Sequence, residues 1–233
     1  SGNYLSEEGI EFQSWYGYIA EGIFQTQEEV DNSPVTSASV GPGDIKYKDI
    51  SGPNDIPDGV INELDRVVLG GSQPRMQYGG NVNLEYKGID FGLVFQGVGK
   101  KNYYLSPDFT QPFQESWLSP PALLDGNYWS MYNTADQNLS ATYPRLAETT
   151  RDNNYLFSDF WLRDGAYFRV KNITLGYTLP PNLISKLGIA KLRIYVAAND
   201  IFTLADFPSG IDPEGGSGYL ITKSFMAGVK IGF

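Results

Sequence analysis

Asp49, Ser51, Asp58, Asn62 and Asp65 are the residues of this chain whose types and spacing come nearest to a defined chemistry. Hard oxygen donors at such intervals, with Gly59 placed for a sharp turn and the Val60 carbonyl beside it, follow the EF-hand type of calcium loop, D-x-[DNS]-x-D-G-x-I-x-x-x-D. Residues 53–57 interrupt the usual spacing, and Asp65 stands where a long bidentate Glu normally closes the shell. The other reading is a turn-rich acidic loop that uses Asp and Gly for backbone conformation. Calcium is the one cofactor that the sequence raises.

A second group is aromatic. Tyr103, Tyr104, Trp117, Tyr128, Trp129 and Tyr132 crowd the stretch 98–166. Flat rings are platforms for sugars or peptide side chains, or they pack a loop against itself or another subunit, because exposed apolar patches are unfavourable. Enzyme chemistry finds little support. There is no Cys and no His, so thiol nucleophiles, zinc thiolates and the commonest general base are absent. Two carboxylates can suffice for glycoside hydrolysis, but no spacing singles out a pair. A net charge of −10 argues against nucleic acid, whose phosphates require clustered Lys and Arg.

The elements that must position these groups are strands. Six stretches alternate in character: about 13–23, 78–87, 89–97, 167–178, 191–202 and 223–233. Val82, Leu84 and Tyr86 alternate with Asn81, Asn83 and Glu85, polar residues placed to line a lumen. Ile89, Phe91, Leu93 and Phe95 repeat the pattern, as do Leu192, Ile194, Val196 and Ala198. In 167–178 the parity changes between Val170 and Ile173, so either a bulge lies near Lys171 and Asn172 or the strand's facing changes there. The last stretch puts Phe225, Ala227, Val229, Ile231 and Phe233 on one face and ends on an aromatic residue.

No apolar run approaches the ~18 residues of a membrane helix, yet a β-barrel exposes only alternate residues to lipid and escapes that criterion. The connections run to about 54 residues, then one or two, then about 69, 12 and 20, the alternation of long external loops and short periplasmic turns expected of an outer-membrane barrel. Trp15, Tyr16, Tyr86, Phe91, Tyr167, Tyr177 and Phe233 fall near strand ends, where aromatic girdles mark membrane interfaces. Six strands cannot close a barrel of the smallest bacterial kind, which has about eight.

Several blocks give these strands a family. They are residues 15–24 (WYGYIAEGIF) with 25–29 (QTQEE), 43–50 (GDIKYKDI), 58–61 (DGVI), 65–70 (DRVVLG), 86–91 (YKGIDF), 95–99 (FQGVG), 143–146 (YPRL), 158–167 (SDFWLRDGAY), 169–180 (RVKNITLGYTLP), 192–196 (LRIYV) and 199–202 (NDIF). Together they resemble the C-terminal part of SusC/RagA-family TonB-dependent outer-membrane transporters of Bacteroidota. The resemblance implies an all-β fold, an antiparallel transmembrane β-barrel segment of about six C-terminal strands from a 22-stranded barrel, with long extracellular loops. Residues 1–233 would form that C-terminal portion, with the plug domain and TonB box absent.

The implied function is outer-membrane import of glycan or peptide nutrients. Implied partners are a SusD-like lipoprotein lid, the TonB complex acting through the missing N-terminal part, outer-membrane lipid, and the barrel-assembly machinery, which would read Phe233. The rival reading is a soluble, secreted β-rich carbohydrate-binding module whose loop aromatics form the sugar site.

Overall fold

The computed structural model describes residues 3–113, 122–146, 151–215 and 221–233. In chain order its strands are β1 (Tyr4–Leu5), β2 (Ser14–Gly17), β3 (Ala20–Ile23), β4 (Ile45–Tyr47), β5 (Val67–Gly71), β6 (Gln77–Tyr86), β7 (Ile89–Val98), β8 (Asn102–Tyr104), β9 (Leu162–Asp164), β10 (Tyr167–Thr178), β11 (Lys191–Ala205) and β12 (Ser224–Gly232). They divide between two compact units, Ser1–Gln73 with Asn102–Arg163, and Pro74–Lys101 with Asp164–Phe233.

The second unit is one antiparallel sheet in the order β12-β11-β10-β7-β6. Five of the six expected stretches become its strands. Lys87 and Gly88, with φ of 50° and 85°, supply the two left-handed residues that a type I′ hairpin requires between β6 and β7. Between β10 and β11, Pro181–Ile184 begins with Pro in its first turn and runs into Ser185–Leu187, and Gly188 ends the turn at φ 68°.

The register carries like residues across all five strands. Leu84, Phe91, Leu175, Val196 and Ala227 stand opposite one another in one row, and Tyr86, Ile89, Tyr177, Ile194 and Val229 in the next. Both rows lie on one face. Asn81, Val94, Asn172, Asn199 and Ser224 make a row on the other. The pairing of β10 with both neighbours shifts between Val170 and Asn172, so of the two readings of the parity change the bulge is the one observed. Against β7 Lys171 is the extra residue, whereas against β11 it stands opposite both Asp200 and Ile201; the shift lets Val170 and Ile173 share the apolar face although they differ in parity.

The first unit has its own core of Tyr18, Ile45, Tyr47, Ile61, Leu124, Tyr143 and Trp161, with a satellite of Phe24, Val30 and Val40. Its strands are short and form three small sheets, β1-β2-β5, β3-β4 and β8-β9. The expected strand over 13–23 is replaced here by β2 and β3, which pair with different partners. Gly17 lies against the backbone of Phe157, and Tyr18 forms a parallel bridge with Ser158, so the chain leaves one ladder before entering the next. Trp15 and Tyr16 accordingly belong to this unit and not to the ends of the large sheet. Trp15 stacks on Tyr4 with ring centroids 4.3 Å apart.

Among the other aromatics expected in girdles, Tyr86 and Tyr177 flank the short-turn end of the sheet on its apolar face. Phe91 sits one row further in, and Tyr167 is buried at the opposite end. No helix among the described residues is long and apolar enough to cross a membrane.

Candidate functional site

The two faces of the large sheet have opposite chemistry. Leu84, Val196 and Val229 are each at least half exposed, an arrangement that an aqueous surface does not favour. On the opposite face Asn172 donates from Nδ2 to Asn199 Oδ1 at 2.7 Å, and Asn199 donates from Nδ2 to Ser224 Oγ at 3.0 Å. Thr174 Oγ1 donates to Asn172 Oδ1 at 3.0 Å. These side chains form a hydrogen-bonded band across β10, β11 and β12.

Two ion-pair systems flank the band. Toward the long-loop end, the buried Arg169 donates to Thr203 Oγ1 at 2.9 Å, and to Glu214 Oε2 and Asp212 Oδ2 at 2.6 Å each. Lys171 reaches Asp200 at 2.8 Å, and Gln96 donates to Glu214 Oε1 at 2.8 Å. Residues 206–215 are thereby tied down over the polar face of their own sheet. Burial opposes ionisation of Asp212, but the Glu214 N–H and the Arg169 guanidinium outweigh it and hold the carboxyl below its ordinary range.

Toward the short-turn end, Arg193 forms a two-pronged ion pair with Asp90, Nε lying 2.8 Å from Oδ1. The pair spans β10 above Gly176, where a Cβ would sit 2.5 Å from the Asp90 Oδ1. Glycine is required by that close approach.

The proposed metal donors are organised by backbone amides. Asp65 is buried, and its Oδ1 accepts from the N–H groups of Ile50 (2.8 Å) and Ser51 (3.1 Å) while Oδ2 accepts from Asn62 N–H (2.8 Å). Burial disfavours its charge, but these three donors prevail and hold its pKa below the ordinary carboxylate value. Asn62 Oδ1 accepts from Leu64 N–H, Asp58 Oδ1 from Val60 N–H, and Asp49 Oδ2 from Gly59 N–H. Asp49 Oδ1 is buried without a hydrogen-bond partner. Among the described residues no three His, Cys, Asp or Glu side chains gather as a metal would require. The donors have the right chemistry for calcium, but in this conformation they do not fit it as a closed shell.

The five loop aromatics among the described residues do not share one surface. Tyr104 packs on Phe157 with ring centroids 4.5 Å apart, and Tyr128 lies against the core of the first unit. Trp129 is buried and donates from Nε1 to Gln25 Oε1 at 3.2 Å. Tyr103 is half-buried, Tyr132 is 91 % exposed beside an exposed Met131, and Trp117 lies outside the described residues. Sequence reasoning missed the Arg169 cluster and the Asp44–Arg145 pair, whose charges carry no local spacing signal.

A sheet with one lipid-type face, one hydrogen-bonded polar face and alternating connections is a segment of transmembrane β-barrel wall. The chain is 31% identical over 90% of its length to TonB-dependent receptor P3 of Formosa agariphila, and 28% identical over 83% to TonB-dependent receptor P26 of the same organism. It spans about a fifth of the length of these relatives, 19% and 18%. The fold matches the solved RagAB peptide transporter with a TM-score of 0.68 and 18% identity, over 98% of this chain and 24% of that one. No protein-family model matches. The chain belongs to the TonB-dependent receptors.

Proposed function

We propose that this chain supplies barrel wall and external loops to an outer-membrane importer of glycan or peptide nutrients. The observation that carries the reading is the register that keeps apolar residues on one face of five strands and polar residues on the other. The apolar face meets lipid, the polar face lines the lumen, and the Lys87-Gly88 turn lies on the periplasmic side. The long connections are then extracellular loops, against which a SusD-like lipoprotein lid closes. Tyr132 and Met131 are the exposed residues placed to meet lid or substrate. Energy for import comes from the TonB complex. The importer reading makes this a transport protein and not an enzyme. The Asp49–Asp65 loop reads as a turn whose side-chain oxygens accept from backbone amides.

The test is fractionation of source cells with an antibody to this segment, on gels with and without boiling. A band far larger than 25.8 kDa in the outer membrane, shifting on heating, is the expected result. A soluble 25.8 kDa band without a shift would return the chain to the carbohydrate-binding module. Importer and substrate class are then settled by uptake of labelled oligosaccharides or peptides in cells lacking the gene.

A further inference from the structure

The chain contains three Asp-Gly steps, Asp58-Gly59, Asp125-Gly126 and Asp164-Gly165, and no Asn-Gly step. Such steps rearrange without a catalyst, because glycine has no Cβ to keep its amide nitrogen from the preceding carboxyl group. The nitrogen must be free to move and to shed its proton. Gly59 N–H is held by Asp49 Oδ2 at 2.7 Å, and Gly165 N–H by the Lys101 carbonyl at 2.8 Å. The carboxylates of those steps are engaged as well, Asp58 Oδ1 accepting from Val60 N–H at 3.1 Å and Asp164 Oδ1 from Ala166 N–H at 2.9 Å.

At Asp125-Gly126 neither group is held. Among the described residues the Gly126 N–H and the Asp125 carboxylate make no hydrogen bond. Both residues are exposed, and nothing lies within 4 Å of the place a Gly126 Cβ would take. Asn127 N–H donates to the Leu124 carbonyl at 3.0 Å across these two residues. The Asn127 carbonyl in turn accepts from Thr142 and Tyr143 N–H at 2.9 and 3.0 Å, closing the neck of the loop that carries the exposed Met131 and Tyr132.

We propose that Asp125 is a site of spontaneous modification, converting to isoaspartate through a cyclic imide, and that the conversion loosens the loop 127–143. The Gly126 nitrogen attacks Cγ of the protonated Asp125 carboxyl group. A C–N bond forms, the C–O bond breaks, and the hydroxyl leaves as water with the nitrogen's proton. Water then reopens the ring, and opening at the Asp125 main-chain carbonyl routes the backbone through Cβ. Charge and oxidation state end unchanged, but the main chain gains a methylene inside the turn that sets the neck. The chemistry is independent of transport.

The full-length protein in detergent is aged at physiological temperature, native and denatured in parallel. Isoaspartate is then labelled with protein isoaspartate methyltransferase and mapped by mass spectrometry. In the native sample Asp125 is expected to convert at least about fivefold faster than Asp58 and Asp164, the factor that one retained hydrogen bond implies. The three should convert at similar rates when denatured. Equal native rates overturn the proposal, and so does the native ranking persisting in the denatured chain. Asp49→Ala releases Gly59 N–H and should bring Asp58 up to the Asp125 rate; an unchanged Asp58 rate overturns protection by hydrogen bonding. Deuterium exchange at Thr142 and Tyr143 should be severalfold faster in aged than in fresh protein, and unaltered by ageing in Asp125→Glu, whose longer side chain closes the ring poorly. Equal exchange in aged and fresh parent protein overturns the loosening.

Discussion

Asp44 and Arg145, 101 positions apart, form a two-pronged ion pair with both contacts at 2.7 Å, and Asp44 is fully buried. Asn154 donates a further hydrogen bond to Asp44 Oδ1 at 2.9 Å and accepts from Ile45 N–H at 2.8 Å. Trp161 donates from Nε1 to the Asn154 carbonyl at 2.9 Å. The blocks 43–50, 143–146 and 158–167 are therefore parts of one polar hub at the core of the first unit.

Arg145→Met leaves the Asp44 carboxylate buried with Asn154 as its remaining side-chain partner. Losing one side of a buried pair costs about 3 kcal/mol. The amides of Ile45 and Asn154 in the full-length protein are expected to exchange with deuterium on the order of a hundredfold faster, as that loss implies. Unchanged exchange would mean that the hub is held by its apolar core alone.

Gly176→Ala places a methyl group where the Asp90–Arg193 pair passes over β10. The pair must open or the strand must shift, at a cost of about 1–3 kcal/mol. The expected outcome is a lower temperature for the gel-shift transition of the barrel. Removing the pair first, with Asp90→Asn and Arg193→Gln, should make the added methyl nearly neutral. A full penalty in that background would locate the clash in the backbone.

Asp65 gives the loop unit a pH dependence with a definite sign. Its folded-state pKa is lowered, so its stabilisation is present above the unfolded-state value of about 4 and is lost as pH falls through the folded-state value. Asp159, raised by burial against the Ala20 N–H, works the other way and loses its contribution as pH rises through its folded-state value. Asp65→Asn should abolish the acid-side loss in a hydrogen-exchange pH series over 49–65, while EDTA at neutral pH leaves exchange there unchanged. Faster exchange with EDTA, reversed by calcium, would restore the metal reading.

The strands were legible where the period was uninterrupted. Alternation alone located β6, β7, β10, β11 and β12, and the parity change between Val170 and Ile173 marked an irregularity at Lys171 that the register shows to be a bulge. Short strands such as β4 and β8, three residues each, hold no full period, and their existence depends on partners far along the chain. The expected strand at 13–23 failed for the same reason, since the contact of Gly17 with Phe157 decides where β2 stops. Acidic spacing around Asp49 was equally ambiguous, because a carboxylate that caps backbone amides and one that ligates a cation look alike in sequence.

Arg169 tests how the β11–β12 connection is held. Its side chain is only 2 % exposed, yet it binds Asp212, Glu214 and Thr203 together. Arg169→Met keeps much of the volume and removes every donor. Asp212 and Glu214 then lose their counter-charge, with Lys171 at 3.5 Å as the nearest replacement for Glu214. The segment 206–215 should detach from the sheet, and a protease acting on the outer face of intact cells should cut it severalfold faster than in the parent protein. Because β10 and β11 retain their backbone ladder, the gel-shift temperature should fall little. Faster cleavage with an unchanged barrel identifies Arg169 as a loop anchor, whereas parallel loss of both would make it a structural member of the wall.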